Sequence, residues 1–185
     1  MRISIIGTAG RKDDGNKLNY DLFMKMYKKA KDHLHSIINS YDIKYSDIEL
    51  ISGGSSYSDH IAIFLYYEYY GYGIKLTLHL PANFINGQYR DNNNKHHPGN
   101  TLNFYHSKFS QKIGIKSLMQ IEQAISMGAN VHIHNGFYER NKHVADTDIM
   151  IAFTFGYDNL KSGGTKYTWD NSSCKDKTHY PIHHL

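Results

Sequence analysis

Short, almost continuous apolar runs alternate along the chain with longer segments in which apolar residues recur every three or four positions. Continuous apolar runs of this length are typical of strands that are buried on both faces of a parallel sheet. They predict five strands and a further strand near the carboxyl end of the chain. These strands span residues 3–6, 48–51, 74–80, 130–134, 148–153 and 180–184.

Helical periodicity fills most of the intervals between these strands. It is clearest over residues 20–40, where apolar side chains share one face and lysines occupy the other. Residues 82–113 are instead polar and irregular, so we expect a long polar loop there that could cover a binding site as a lid. The predicted helices span residues 20–40, 58–70, 115–127, 137–145 and 164–174.

This alternation of strands and helices indicates βαβ units built around a buried parallel sheet. We therefore expect a single α/β domain over residues 1–185. Its sheet should be mainly parallel, with five to seven strands and with helices on both faces, in three layers. Ligands of such sheets bind at the carboxyl ends of the strands, where the strand order reverses.

The composition excludes several classes of protein. No segment approaches the roughly 18 apolar residues of a membrane span, and the apolar part of MRISIIGTAGR is too short for a signal peptide. A single cysteine, Cys174, excludes an internal disulfide and suits a reducing compartment. The net charge of +4 comes from scattered lysines and arginines, which argues against a nucleic-acid partner. We expect a cytoplasmic protein without a membrane partner.

Three of the predicted strands lead into loops rich in glycine and hydroxyl side chains: GTAGR after the first, SGGSS after the second and SGGT after the fifth. Glycine lets a ligand approach the backbone closely, and amides at the start of a helix bind anions. Since the three loops should share one edge of the sheet, they predict a common site for a phosphate-bearing ligand. Ordinary βα turns are the alternative interpretation. The candidate binding residues are Gly7, Thr8, Ala9, Arg11, Gly53, Gly54, Ser55, Gly163, Gly164 and Thr165.

None of these loops is a Walker P-loop or a GxGxxG dinucleotide fingerprint. Arg11 follows the first loop, where its guanidinium could bind a phosphate through two parallel hydrogen bonds. A surface arginine without a ligand is the alternative for this residue.

The order of these segments resembles the SLOG superfamily of Rossmann-like proteins, which includes the LOG phosphoribohydrolases, the YpsA-like proteins and DprA. SGGSSYSDHIA is similar to the S-G-G-A-x-G-A-D-x-x-A pattern of the YpsA-like branch, and the matching residues include Asp59 and Ala62. The resemblance implies a Rossmann-like three-layer fold, a nucleotide or nucleotide-like ligand with Asp59 among its binding residues, and a homodimer or higher homo-oligomer. We expect no cofactor.

LOG enzymes cleave the N-glycosidic bond of nucleoside monophosphates with an arginine and a glutamate. The resemblance carries the arginine over to Arg140, in ERNK. Thr168 stands where the glutamate is expected, and the nearest acid, Asp170, points elsewhere on the helix. A sensing or sequestering nucleotide-binding module is therefore favoured. A LOG-like hydrolase that uses Arg140 and a DprA-like binder of single-stranded nucleic acid are the alternatives.

The 13 histidines raise the question of a metal site. His132 and His134 would face the same side of a strand. However, the chain lacks an HExxH sequence and any pair of cysteines. The sequence therefore predicts surface or core histidines and no metal.

Overall fold

The computed structural model describes residues 1–91, 95–157, 159–160, 163–174 and 176–185, and within these ranges it has a six-stranded sheet. The strand order is β6-β3-β2-β1-β7-β8, and every neighbouring pair is parallel. An antiparallel hairpin, β4–β5, lies outside this sheet. The strands are β1 (Arg2–Gly7), β2 (Glu49–Ser52), β3 (Lys75–Leu80), β4 (Asn83–Ile85), β5 (Gln88–Arg90), β6 (Asn130–Ile133), β7 (Ile149–Thr154) and β8 (Asp176–Pro181).

Helices cover both faces of the sheet. A strand that is apolar along nearly its whole length needs this, because its side chains point alternately to the two faces. Ile3 and Ile5 of β1 point to one face and pack in a cluster with Phe23. Ile6 points to the other face and packs with Val144. The predicted α/β class, with a mainly parallel sheet and a three-layer Rossmann-like arrangement, is confirmed.

Seven α-helices lie within the described residues. They are α1 (Asp14–Lys17), α2 (Tyr20–Tyr41), α3 (Ile61–Tyr69), α4 (Pro98–Ile113), α5 (Ser117–Ser126), α6 (Phe137–Ala145) and α7 (Gly164–Asn171). Short 3₁₀ helices span Tyr45–Asp47, Tyr70–Tyr72 and Ile182–His184. Among the helices that the structure describes, none combines the length and the apolar character needed to cross a membrane.

The predicted long loop over residues 82–113 is wrong for most of its length. The β4–β5 hairpin occupies its first part, and α4 occupies its last sixteen residues. Leu102, His106 and Phe109 are buried on one face of α4. The sequence concealed this helix because a histidine occupies a core position and breaks the apolar pattern. Residues 92–94 lie outside the described part of the chain.

The last strand also differs from its prediction. The predicted strand over residues 180–184 lies instead at Asp176–Pro181, and a 3₁₀ helix follows it. β8 is an edge strand that pairs with β7 alone in the sheet order, and its side chains are half-buried. An edge strand can carry polar side chains, so continuous apolar character does not mark it.

Candidate functional site

The sheet order places the carboxyl ends of β2, β1 and β7 side by side, and a cleft of about 650 Å³ opens there. The glycine-rich loops that follow β1 and β7, and the segment that follows β2, all contribute to it. Ten sequence-predicted residues line the cleft: Gly7, Thr8, Ala9, Arg11, Ser55, Asp59, Arg140, Gly163, Gly164 and Thr165.

Gly7 and Thr8 form the floor of the cleft after β1. A Cβ atom at Gly7 would lie 2.0 Å from the carbonyl oxygen of Phe153, so the neighbouring strand excludes any side chain here. The backbone N–H of Thr8 donates to that same oxygen at 2.9 Å. The hydroxyl of Thr8 accepts from the Gly10 N–H and donates to Asp14, each at 3.1 Å. Gly7 is therefore required by the packing of β1 against β7.

Gly53 and Gly54 do not line the cleft, in contrast to the prediction. A Cβ atom at Gly53 would lie 1.7 Å from Nη1 of Arg140, so the guanidinium covers this backbone. The carbonyl of Gly54 faces the opposite way and accepts from the hydroxyl of Tyr89 at 2.6 Å and from Nε2 of His106 at 3.0 Å. The space beside these two glycines is therefore filled by other side chains of the protein and not by the cleft.

Arg140 and Asp59 form a buried ion pair at the side of the cleft, with Nη1 3.2 Å from Oδ2. The two residues are 8% and 5% exposed. Burial raises the pKa of the Asp59 carboxyl, while the Arg140 guanidinium opposes that rise. Burial also lowers the pKa of Arg140, but arginine starts so far above neutrality that it stays charged. Among the described residues, none pairs with the buried Nε of Arg140.

Gly163, Gly164 and Thr165, at the start of α7, also line the cleft. Gly163 has φ 129° at the start of α7, and no side chain of the described residues caps this helix. Thr165 donates its hydroxyl hydrogen to the carbonyl oxygen of Gly7 at 2.8 Å, which ties this loop to the first one. Ser162, also part of the predicted loop, lies outside the described residues. The amino end of α7 and its dipole therefore border the cleft.

Arg11 is exposed, but two aromatic rings hold it in place. Its guanidinium carbon lies 5.4 Å from the ring centre of Tyr105 and 5.1 Å from that of Phe137. A cation between two ring faces is favoured electrostatically. These contacts keep the positive charge of Arg11 at the edge of the cleft.

A second recess of about 340 Å³ adjoins the cleft, and Ala9 and Lys12 line both. Its walls are aromatic and basic, with Tyr57, Phe104 and Lys108 among them. The sequence did not reveal this recess, because Phe104 and Lys108 belong to α4, which was predicted as loop.

Acidic groups lie in the cleft as well. Asp13, Asp14 and Asp59 line it together with the cations. Thr168 lines it too, and its hydroxyl donates to the carbonyl of Gly164 at 2.9 Å. Asp170 instead pairs with Lys166 on the exposed side of α7 at 2.7 Å, as its position on the helix predicted.

No family model matches the chain, and no solved structure matches it. The chain is 37% identical over 182 residues to "Uncharacterized protein R261" of Acanthamoeba polyphaga mimivirus. It belongs to the family of that mimivirus protein. The match covers 96% of this chain and 93% of the relative, so the two members of the family correspond over nearly their whole lengths.

Proposed function

We propose that this protein binds a nucleotide, or a nucleotide-derived ligand that carries phosphate, in the cleft at the carboxyl ends of β2, β1 and β7. It acts there as a module that senses or sequesters the ligand. The observation that carries the proposal is the meeting of Gly163 and Thr165 at the start of α7 with Thr8, Ser55 and the Arg140 guanidinium in one cleft.

The phosphate would lie against the amino end of α7. Helix amino ends favour anions through their unpaired N–H groups and their dipole. Arg140 places a positive charge at the side of the cleft, and Arg11 adds a second positive charge at the edge. The resemblance to SLOG proteins, in which corresponding loops surround a nucleotide, supports the same placement.

The adjoining recess is suited to the nucleoside part of the ligand. The side chain of Phe104 is 54% exposed and presents a ring on which a base can stack. Cleft and recess, at about 650 and 340 Å³, fall within the usual size range of small-molecule sites. An anion site beside an aromatic recess fits a nucleotide better than it fits inorganic phosphate.

A panel of ligands tests this proposal. The purified protein is mixed with AMP, a cytokinin-type adenosine monophosphate, ADP-ribose, a cyclic nucleotide and inorganic phosphate, and both thermal stability and release of free base are followed. We expect at least one nucleotide to raise the melting temperature without base release, because a ligand at 100 times its Kd stabilises by roughly 2.7 kcal/mol. No stabilisation by any nucleotide, with tight salt-sensitive binding of oligonucleotides, would contradict it.

One observation favours a second candidate, a LOG-like hydrolase. Asp59 places a carboxyl group in the cleft beside Arg140, although position 168 is a threonine. Water would replace the base at C1′ of the ribose, and the base would leave with a proton. In this candidate the Asp59 carboxylate accepts a proton from the attacking water, and that proton leaves with the base. Base release that is lost in Asp59→Asn and in Arg140→Ala, but kept in Asp170→Asn, would establish this activity.

A further inference from the structure

Three histidines from distant parts of the chain meet at the carboxyl end of β3. His79 lies in β3, His134 follows β6 directly, and His143 lies in α6. One ring nitrogen of each lies within 4.8 Å of the ring nitrogens of the other two. No other part of the described chain brings three such ligand groups together.

The fold itself produces this meeting. His79 pairs with His132 in the β3–β6 ladder, so their side chains share one face of the sheet. His134 comes two residues later and points to the same side. α6 crosses this face and stacks His143 on both rings, with centroids 4.3 Å from His134 and 5.5 Å from His79.

His79, the buried member of the cluster, has a polar atom without a partner. His79 is only 6% exposed. Its Nδ1 lies 2.9 Å from Nε2 of His134, so one of the two rings donates to the other. In either tautomer, the buried Nε2 of His79 has no hydrogen-bond partner among the described residues. A buried nitrogen without a partner is costly unless something binds it.

The chemical nature of the cluster is also suited to a metal. All three ligand groups are imidazoles, and among the described residues no carboxylate belongs to the set. Imidazole nitrogens are common ligands of transition metals.

We propose that His79, His134 and His143 bind one divalent transition-metal ion, with Zn²⁺ as the expected occupant. A set of three imidazoles selects Zn²⁺, Co²⁺, Ni²⁺ or Cu²⁺ over Mg²⁺ and Ca²⁺, which prefer oxygen ligands. His143 is exposed, so its side chain can rotate to complete the set of three ligands. This site does not depend on nucleotide binding in the cleft.

Metal titration tests the site, with His132 as the matched control. His132 stacks on His79 at 5.2 Å and is exposed, but it does not belong to the set of three. Zn²⁺ affinity is measured by competition with a chromophoric chelator, and Co²⁺ binding by its visible d–d absorption. We expect one ion per chain. His134→Gln and His143→Gln should each weaken binding about tenfold or more, whereas His132→Gln should bind as the wild type does.

The exposed position of His143 keeps the test independent of folding. The metal-free His143→Gln protein should melt at the wild-type temperature. Zn²⁺ should raise the melting temperature of the wild type but not that of this variant. Zn²⁺ binding of equal strength in wild type, His134→Gln and His143→Gln would overturn the proposal. The proposal would also be overturned if His132→Gln lost as much Zn²⁺ affinity as the other two variants, or if an equal concentration of Mg²⁺ displaced Zn²⁺.

Discussion

The guanidinium of Arg140 lies 3.2 Å from the carboxylate of Asp59 and covers the backbone of Gly53. Residues 53 and 59 belong to the segment after β2, whereas Arg140 belongs to α6. The ion pair therefore joins the second glycine-rich loop to the helix that borders the cleft. A glycine at position 53 is required because the guanidinium occupies the space where a side chain would begin.

Gly53→Ala should displace Arg140 from this position. The new Cβ atom would lie 1.7 Å from Nη1 of Arg140 and 2.7 Å from Oδ2 of Asp59. Overpacking of this kind costs about 1–3 kcal/mol, so the free energy of unfolding in urea should fall by that amount. At Gly71, where an added Cβ meets no described atom within 4 Å, alanine is the control and should change stability by less than about 0.5 kcal/mol. Equal stabilities of the two variants would contradict the packing described for Arg140.

Two buried histidines should make stability fall in acid. Burial lowers the pKa of His60 to about 3 and that of His106 to about 4, from 6.5. Below pH 6.5 the unfolded chain takes up protons at these rings that the folded protein does not. The free energy of unfolding should therefore fall as the pH drops from 6.5 toward 4, by up to about 1.4 kcal/mol per pH unit for each histidine.

His60→Gln isolates one of these contributions. In urea unfolding at a series of pH values, the free energy of unfolding should depend less steeply on pH for this variant than for the wild type. The difference in slope should correspond to about one fewer proton taken up on unfolding. Apart from His106, whose ring lies 5.8 Å from that of His60, the titratable groups keep their surroundings, so their effect cancels in the comparison. Identical slopes for the two proteins would show that His60 takes up its proton equally in both states.

The exposed ring of Phe104 should contribute to nucleotide affinity alone. Stacking of a base on an aromatic side chain is worth about 1–3 kcal/mol, so Phe104→Ala should weaken nucleotide binding about tenfold. Binding of inorganic pyrophosphate, which has no base, should not change. Met119→Ala, at an equally exposed position on α5, is the control in the same calorimetric titrations. An equal loss for nucleotide and pyrophosphate would exclude the recess as the site of the base.

The α6–α7 surface is where we expect a second copy of the chain to bind. Tyr138 of α6 is 63% exposed, and its ring centre lies 4.6 Å from that of Tyr167 in α7. The two helices therefore present an aromatic surface beside Gly163 and Gly164. Sedimentation should show a species of twice the 21.4 kDa chain mass. Tyr138→Lys should shift it toward the monomer, whereas Tyr72→Lys, at a similarly exposed position elsewhere, should not. A wild-type monomer at micromolar concentration would contradict this expectation.

The four central strands, β1, β2, β3 and β7, were predictable from the sequence because they are buried on both faces and their predicted segments consist mostly of apolar residues. Gly7, Thr8 and Thr165 could also be placed at one edge, because parallel strands bring their carboxyl ends together. The contact between Gly53 and Arg140 was not predictable from the sequence. A glycine that admits a ligand and a glycine that admits Arg140 look the same in a sequence.

Features that depend on distant contacts were not predictable. His106 occupies a core position in α4 because the carbonyl of Gly54, 52 residues earlier, accepts its hydrogen bond, and no local pattern shows this. His79 and His134 are 55 residues apart, and β6 has to pair with β3 before their rings can meet. The spacing of histidines along the chain contains no trace of that pairing.

The most direct test of nucleotide binding in the cleft is calorimetric titration of AMP and ADP-ribose into three proteins: wild type, Arg11→Gln and Arg90→Gln. Arg11 lines the cleft, whereas Arg90 is an exposed arginine of β5 outside it, so neither change should affect folding. We predict that at least one nucleotide binds the wild type and Arg90→Gln equally, and binds Arg11→Gln about tenfold more weakly, since a charged hydrogen bond is lost. Absence of binding to the wild type, or equal affinity of all three proteins, would contradict the assignment of the cleft.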